Sequence, residues 1–425
     1  MSRGEEVRGL SDTEATFAYT HVLLRGSGRL TTTFTVHGVF SPERVERAVE
    51  RWLGRLPVLS LRIAGSDGSD GRLWFRQGAP SGAHSVLAAE AAGADDGPTG
   101  ERLWRLRAEP GPAGATRFRL TLHPAICDGY SVGRLVRPLL DALFDTPGLD
   151  AADRAPEALP PDTDELTYEG GGGCVCGVCV PGAPRRARAV APFQDDRHPR
   201  AGGGGERGLG DGRTAGAVTL ALTPYESRRL RDWCGAGQLT VSGFLTTVLA
   251  DALARETGRT EVTVTTAMSL RRRYTERTLI SEPGCVLGTV RARLGAGEAG
   301  DPLSRARANA AELCLAGRAW RPERRAHTGI RRAVEREARA LGPELRVVDA
   351  GSVDTVLGPH AARVTGFRTV AARGAGRPGS SLYLSSFKGA LTASLTSQGL
   401  GERWVARAER ELSEAALLRT ASVSL

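Results

Sequence analysis

The sequence predicts an α/β protein of two lobes, and three observations carry that prediction. Apolar residues alternate through 118–122 and then recur at helical spacing through 132–143, so a strand, a tight turn and a helix follow one another. Strand and helix patterns also alternate over 30–62 and again beyond about residue 215. Between these parts few apolar residues recur at any period, which predicts a long flexible linker. We expect an N-terminal lobe over 1–150, a Gly- and Cys-rich linker over 151–215 and a C-terminal lobe over 216–425.

The composition is that of an ordinary globular protein, with 425 residues of which 40% are apolar and 25% charged. The formal charge of +9 is carried by arginine, since Lys388 is the only lysine. No basic patch is interleaved with aromatic residues, so no nucleic-acid partner is expected. The chain shows no apolar run near its start and none of about 18 residues, so neither a secretory signal nor a membrane span is expected. Seven cysteines, an odd number, favour a reducing, cytoplasmic location.

In the first half, capping signals and alternation define the elements. Ser11 precedes an acidic first turn and predicts a helix start, and Ser41 with Pro42 predicts another. The Thr-rich stretch 30–37 predicts a strand. Further strands are expected around 73–76 and 103–108, the second leading through a turn to the strand that ends at His123.

In the second half, several strands and helices are expected. Residues 301–341 predict an arginine-rich helix broken near Pro322. The remaining elements are expected as strands at 218–222 and 262–267, helices at 225–234 and from Thr240 to Gly258, a hairpin of 382–386 with 391–397 around Lys388-Gly389, and a final helix through Trp404 and Leu412.

The segment His123-Pro124-Ala125-Ile126-Cys127-Asp128-Gly129 closes the strand of 118–122. It resembles the His-His-x-x-x-Asp-Gly signature of the superfamily of condensation domains and polyketide-associated acyltransferases. Weaker resemblances follow in the same order along the chain. They are Leu56-Pro57 for a His-Pro, Met268 to Arg273 for a Val-Asp-Leu-Arg-x-Arg-like segment, Gly284 to Gly288 for a Gly-Asn-x-Leu-Gly-like segment, and Asp354 to Gly358 for an Asn-x-Gly-like one.

The resemblance implies two chloramphenicol-acetyltransferase-like lobes that form a V, with a tunnel at their interface. In the family the second histidine of the signature is the general base, which acts on an amine or hydroxyl while an acyl thioester enters from the other side. Pro124 stands at that position. Because proline offers neither a titrating group nor a backbone N–H, the standard mechanism cannot operate unaltered.

Three other residues of these segments are candidates for catalysis. His123 is either a substitute base or a structural residue bonded near the turn. Cys127 and Cys285 fall in stretches that line the tunnel in relatives, so each is either a nucleophile that accepts the acyl group or a buried, unreactive thiol.

Two further residues of the motif are expected to be structural, together with a partner from the second half. The family pairs the Asp of its signature with an arginine, and Arg271 is the expected partner of Asp128. Gly129 is expected to permit the backbone conformation of the turn.

The linker carries a cysteine cluster, Cys174, Cys176 and Cys179, in a C-x-C-x-x-C pattern. Thiolates at this spacing bind zinc, with Cys234 or His198 as a fourth ligand. The alternatives are a redox pair or a cluster without function in a drifting linker. Apart from this zinc, no cofactor is expected.

The resemblance implies a stand-alone acyltransferase or condensation enzyme of a secondary-metabolite pathway, with a non-standard mechanism. Its partners would be an acyl or peptidyl carrier protein in trans, or a CoA thioester, together with a small-molecule acceptor. The alternatives are a catalytically inactive member that docks a carrier protein or tailoring enzyme, and a tunnel repurposed for a cyclisation.

Overall fold

The computed structural model describes most of the chain, and every structural statement below refers to these residues. They are 6–24, 26–65, 71–78, 102–144, 159, 161–166, 215–274, 282–295, 302–340, 343–372 and 378–421.

The first hydrophobic core lies between a four-stranded antiparallel sheet and helices α2 (Pro42–Arg55) and α3 (Val132–Leu143). In this sheet the order is β11 (Val364–Ala371), β2 (Leu30–His37), β6 (Ala115–Leu122) and β5 (Trp104–Pro110). A smaller antiparallel sheet has the order β1 (Glu6–Gly9), β4 (Leu73–Gln77) and β3 (Leu61–Gly65). Helix α1 (Asp12–Leu23) adds Ala15, Ala18 and Tyr19 to the same core.

The second core surrounds a six-stranded mixed sheet of order β7-β13-β12-β10-β8-β9. Strand β10 runs parallel to β8 and β12, and the other pairs are antiparallel. The strands of this half are β7 (Ala215–Ala221), β8 (Glu261–Ser269), β9 (Leu287–Gly295), β10 (Glu344–Ser352), β11 (Val364–Ala371), β12 (Gly379–Phe387) and β13 (Ala390–Gln398). The helices are α4 (Pro224–Ala236), α5 (Val241–Thr257), α6 (Pro302–Ala319), α7 (His327–Ala338), α8 (Asp354–Leu357) and α9 (Gly401–Ala421).

The second half of the chain completes the first core. Strand β11 pairs with β2 along its whole length, from Val364 opposite Val36 to Ala371 opposite Leu30. Ile330 and Val334 of α7 are buried in the first core as well. The expected limits of 1–150 and 216–425 therefore do not describe the packing, because a strand and a helix from beyond residue 300 belong to the N-terminal lobe.

A short described part of the linker crosses between the cores. Leu159 packs against the first core and Leu166 against the second. Between them the Asp164 carboxylate accepts the backbone N–H of Asp12 at 2.6 Å, at the start of α1. The rest of the linker lies outside the described residues.

Most predicted elements are present with ends within a few residues of those expected. Ser11 and Glu14 form a reciprocal cap at the start of α1, and Ser41 caps α2 with Pro42 in its first turn. The predicted break near Pro322 separates α6 from α7. The predicted hairpin is β12 with β13, and Lys388 takes a positive φ of 50° in its turn.

Candidate functional site

Strand β6 leads directly into the motif, which contacts residues from the second half of the chain. We call this contact between the motif turn and the second half the seam. Phe118, Leu120 and Leu122 are fully buried on its core face. The strand ends where the His123 N–H donates to the Leu103 carbonyl at 2.7 Å, and a turn then leads to α3. Because these side chains are packed into the core, they fix where the strand ends and therefore where the motif begins.

The predicted partner of Asp128 is in place. Arg271 Nη1 donates to Asp128 Oδ2 at 2.7 Å, with both side chains buried. The Val286 N–H donates to the same oxygen at 2.9 Å, and the Tyr130 N–H donates to Oδ1 at 3.1 Å. The buried carboxylate is therefore paired with a charge and also hydrogen-bonded, the condition under which a buried ion pair is tolerated.

Ser131 is a member of the same junction that sequence reasoning missed. Its Oγ accepts Arg271 Nη2 at 2.6 Å and the Gly284 N–H at 3.1 Å, and its hydroxyl lies 2.9 Å from the Gly284 carbonyl, to which it donates. A serine just before a helix is normally expected to cap that helix, but this side chain makes no cap. Its partners lie about 140 residues away in sequence, so no local pattern identifies them. The junction of Asp128, Ser131, Arg271 and Gly284 ties the motif turn to the β8–β9 connection.

Gly129 is required for close packing. Its φ is not in the left-handed region, so the expected role in turn conformation is replaced by a steric one. A Cβ at this position would lie 2.6 Å from Val348 Cγ1 and 3.2 Å from the Tyr383 ring, closer than carbon atoms pack. Tyr383 Oη also donates to the Gly129 carbonyl at 2.9 Å. The absence of a side chain lets the motif turn touch β10 and β12.

His123 is buried and its ring is already engaged. Its Nδ1 accepts the Ala125 N–H at 3.1 Å, which places the proton of the neutral ring on Nε2. Burial holds its pKa well below the usual range, and nearby His21 and Arg29 act in the same direction. The lone pair that a base needs is therefore committed to the backbone, and the structural role is favoured.

A second imidazole, which sequence reasoning did not single out, lies against His123. The ring of His21, near the end of α1, has its centroid 4.3 Å from that of His123. Both side chains are buried. The separation of about 100 residues left no sequence signal for this pair.

Pro124 faces α1 and the loop that follows it. A Cβ on Gly28 would lie 3.4 Å from Cγ of Pro124 and 3.9 Å from Cδ1 of Phe17. Phe17 also packs against the apolar cluster of Cys285, Ala267 and Leu287 from the second half. Pro124, which only the resemblance aligns with the family's base, is thus an apolar ring beside the seam between the halves.

The two candidate thiols are buried near the junction. Cys127 is 0% and Cys285 3% exposed. Desolvation raises the pKa of both thiols well above the usual range, and the neighbouring Asp128 carboxylate adds to the rise. The Cys127 thiol donates to the Asp128 carbonyl at 3.2 Å. These surroundings disfavour the thiolate that nucleophilic catalysis requires.

The cysteine cluster Cys174, Cys176 and Cys179, with His198, lies outside the described residues, so its zinc stays a prediction. Cys234, the other suggested ligand, is buried in the second core, and desolvation raises its pKa to about 12. That environment disfavours a metal-binding thiolate at Cys234. Among the described residues no group of three or more His, Cys, Asp or Glu side chains has the arrangement of a metal site.

Comparison with known proteins identifies the fold. No family profile and no curated protein sequence matches the chain. Among solved structures, polyketide synthase associated protein 5 from Mycobacterium tuberculosis is 17% identical with a TM-score of 0.64, over 98% of this chain and 100% of that one. The first condensation domain of the CDA synthetase is 16% identical with a TM-score of 0.62, over 98% and 97%. Trichothecene 15-O-acetyltransferase TRI3 from Fusarium sporotrichioides is 12% identical with a TM-score of 0.65, over 97% and 95%.

The chain therefore has the fold of the condensation-domain superfamily, as the motif order predicted. The same fold is found in a condensation domain and in an O-acetyltransferase. Within the described part of the chain, no helix is both long and apolar enough to span a bilayer.

Proposed function

We propose that this protein transfers an acyl group from a thioester to an amine acceptor, and that it does so by holding the two reactants together without a histidine base at the motif. The donor would be a CoA or carrier-protein thioester supplied in trans within a secondary-metabolite pathway. The reacting groups would meet in a tunnel along the seam between the two halves, beside Pro124.

The observation that carries the proposal is the intact junction. Asp128, Arg271 and Ser131 still fix the motif turn against the β8–β9 connection across the seam, with contacts of 2.6 and 2.7 Å. These contacts support a frame that positions reactants, at a motif whose residue 124 is a proline. Positioning alone supplies a large part of the rate of a two-substrate reaction, because reactants held at the right distance no longer lose translational freedom.

The acceptor class follows from the missing base. A hydroxyl is a weak nucleophile unless a base removes its proton as it attacks, whereas a neutral amine attacks a thioester with its own lone pair. Pro124 has no proton-accepting group, and the Nδ1 lone pair of His123 is held by the Ala125 N–H. Amine acceptors therefore fit this site better than hydroxyls.

The test is turnover of the wild-type protein and of His123→Asn with a panel of acyl-CoA and acyl-carrier thioesters and simple amines, with product followed by mass spectrometry. The Asn amide oxygen can accept the Ala125 N–H in place of Nδ1, so the variant keeps the local bond without a titrating ring. We expect amide product, a rate within about twofold for His123→Asn, and a pH profile that follows the ionisation of the acceptor amine. Loss of turnover in a folded His123→Asn protein would show that His123 is the base.

A non-catalytic docking protein is the second candidate, and the apolar ring at position 124 is the observation that favours it. In that case no product forms with any thioester of the panel, while an acyl-carrier protein still binds. The assay above separates the two candidates, because binding without turnover contradicts acyl transfer. A cyclisation would give a product that contains the acyl group of the thioester and no added acceptor molecule.

A further inference from the structure

The four-stranded sheet has a second face that the motif does not use. Strand alternation places one set of side chains away from the first core, and each of them is partly or fully exposed. We call this set the arginine face. It comprises Thr31, Thr33 and Thr35 of β2, Arg117, Arg119 and Thr121 of β6, Arg105, Arg107 and Glu109 of β5, and Arg368 of β11.

The register aligns three of these arginines in one row. Arg119 lies opposite Arg107 on β5 and opposite Thr33 on β2, and Thr33 lies opposite Arg368 on β11. Neighbouring strands are about 4.8 Å apart, so the row crosses all four strands within roughly 15 Å. Arg368 comes from the second half of the chain, so the row forms only when the whole protein is folded.

The arginine face has more positively charged than negatively charged side chains. Glu109 is its one acidic member, and it pairs with Arg117 at 3.5 Å while both side chains stay about half exposed. Arg368 donates to a neutral partner, Thr219 Oγ1, at 3.4 Å. Arg107 and Arg119 form no ion pair with any described residue, although they lie directly opposite each other. Like charges in that position destabilise a sheet, and a bound anion offsets the cost.

We propose that the arginine face is a docking surface for an acidic protein partner. Small molecules bind in concave pockets, whereas this face is an open sheet surface. Guanidinium groups bind carboxylates through two parallel hydrogen bonds, and arginine is enriched where proteins associate. A spread of arginines in rows therefore matches a protein surface rich in Asp and Glu, which it also attracts at long range.

The arginine face lies close to the motif, so a partner docked on it would lie close to the motif as well. Arg117, Arg119 and Thr121 lead along β6 to His123, which opens the motif. A partner on the arginine face would therefore sit next to the seam where Pro124 lies. Strand register and charge create the arginine face whether or not the seam catalyses acyl transfer.

The test is fluorescence anisotropy with a labelled peptide of about 20 residues in which Glu and Ala alternate. Arg107→Gln with Arg119→Gln removes two charges from the row. Arg332→Gln with Arg403→Gln removes two from exposed positions on α7 and α9 and is the matched control. We expect the first pair to weaken binding about tenfold or more and the control pair to change it less than about twofold. Binding by the wild type should also fall as NaCl rises from about 0.05 to about 0.5 M.

Folding and the other anion sources are tested in parallel. The Arg107→Gln, Arg119→Gln protein should unfold at the same temperature as the wild type or higher, since a repulsion has been removed. Equal weakening by both double variants, or no binding by the wild type, overturns the proposal. The proposal is also overturned if the two double variants differ in binding to phosphatidylserine vesicles or inorganic phosphate but do not differ in binding to the peptide.

Discussion

At the scale of single residues, Asp128 illustrates how a buried charge is held in place. Its carboxylate receives hydrogen bonds from Arg271, Val286 and Tyr130, all within 3.1 Å. Losing Arg271, the only charged partner of the three, would leave a buried charge that water cannot reach.

Asp128→Asn should therefore destabilise the protein strongly. The change leaves the Arg271 guanidinium buried without its counter-charge, and we expect a loss of about 3 to 5 kcal/mol in the free energy of unfolding. Urea denaturation followed by circular dichroism measures it. The control is Glu109→Gln, the same chemical change in a half-exposed pair, which should cost less than about 1 kcal/mol. Equal effects of the two variants would contradict the structural role of the junction.

Gly129→Ala tests the close approach of the motif turn to β10 and β12. The added methyl would meet Val348 Cγ1 at 2.6 Å, and overpacking of that kind costs about 1 to 3 kcal/mol. Gly54→Ala is the control, because that glycine lies in α2 with no atom within 4 Å of the added Cβ. Alanine should stabilise the helix there by up to about 1 kcal/mol. Thermal unfolding of both variants gives the comparison, and a neutral Gly129→Ala would show that the turn can move away.

At the scale of elements, the sequence predicted the features that depend on residues close together in the chain. The caps at Ser11 and Ser41, the break near Pro322 and the hairpin around Lys388 follow from capping, proline and turn chemistry. Strand β11 was not among the predicted elements, and even a predicted strand carries no mark of which sheet it joins. Ser131 and His21 were missed for the same reason, since their partners lie far away in sequence.

The described linker residues include Asp164, a carboxyl whose ionisation is linked to folding. Burial raises the pKa of Asp164 to about 7, and neighbouring Asp162, Asp12 and Glu14 add to the rise, although the Asp12 N–H opposes it. In the unfolded chain this carboxyl ionises near pH 4. Folding is therefore penalised progressively as pH rises from about 4 to about 7, and the penalty is constant above that range.

Asp164→Asn should remove this penalty while its amide oxygen still accepts the Asp12 N–H. We expect the variant to be more stable than the wild type by about 1 to 2 kcal/mol at pH 8, a figure reduced for the partial exposure of the carboxyl, and equal to it near pH 4. Denaturant midpoints across that range measure the difference, with Glu165→Gln as the exposed neighbouring control. A difference that is the same at every pH would contradict the assigned ionisation.

At the scale of the whole molecule, the order of weak motifs predicted the fold although no single motif was decisive. The structures that match over nearly the full length of the chain share only 12 to 17% of its residues, so the same fold forms from largely different sequences. The chemistry is less predictable from the sequence. The sequence left the role of His123 open between a base and a structural residue, and the Ala125 contact, in which Nδ1 is occupied, favours the structural role.

Restoring the family's histidine tests most directly whether the seam is an acyl-transfer site that lacks only its base. Pro124→His should raise turnover with a hydroxyl acceptor by about 100-fold or more over Pro124→Gln, which has similar size but cannot accept a proton at neutral pH. Both variants should fold like the wild type. If a folded Pro124→His protein is no faster than Pro124→Gln with a hydroxyl acceptor and any thioester of the panel, the seam does not hold the reactants and the account of its function is wrong.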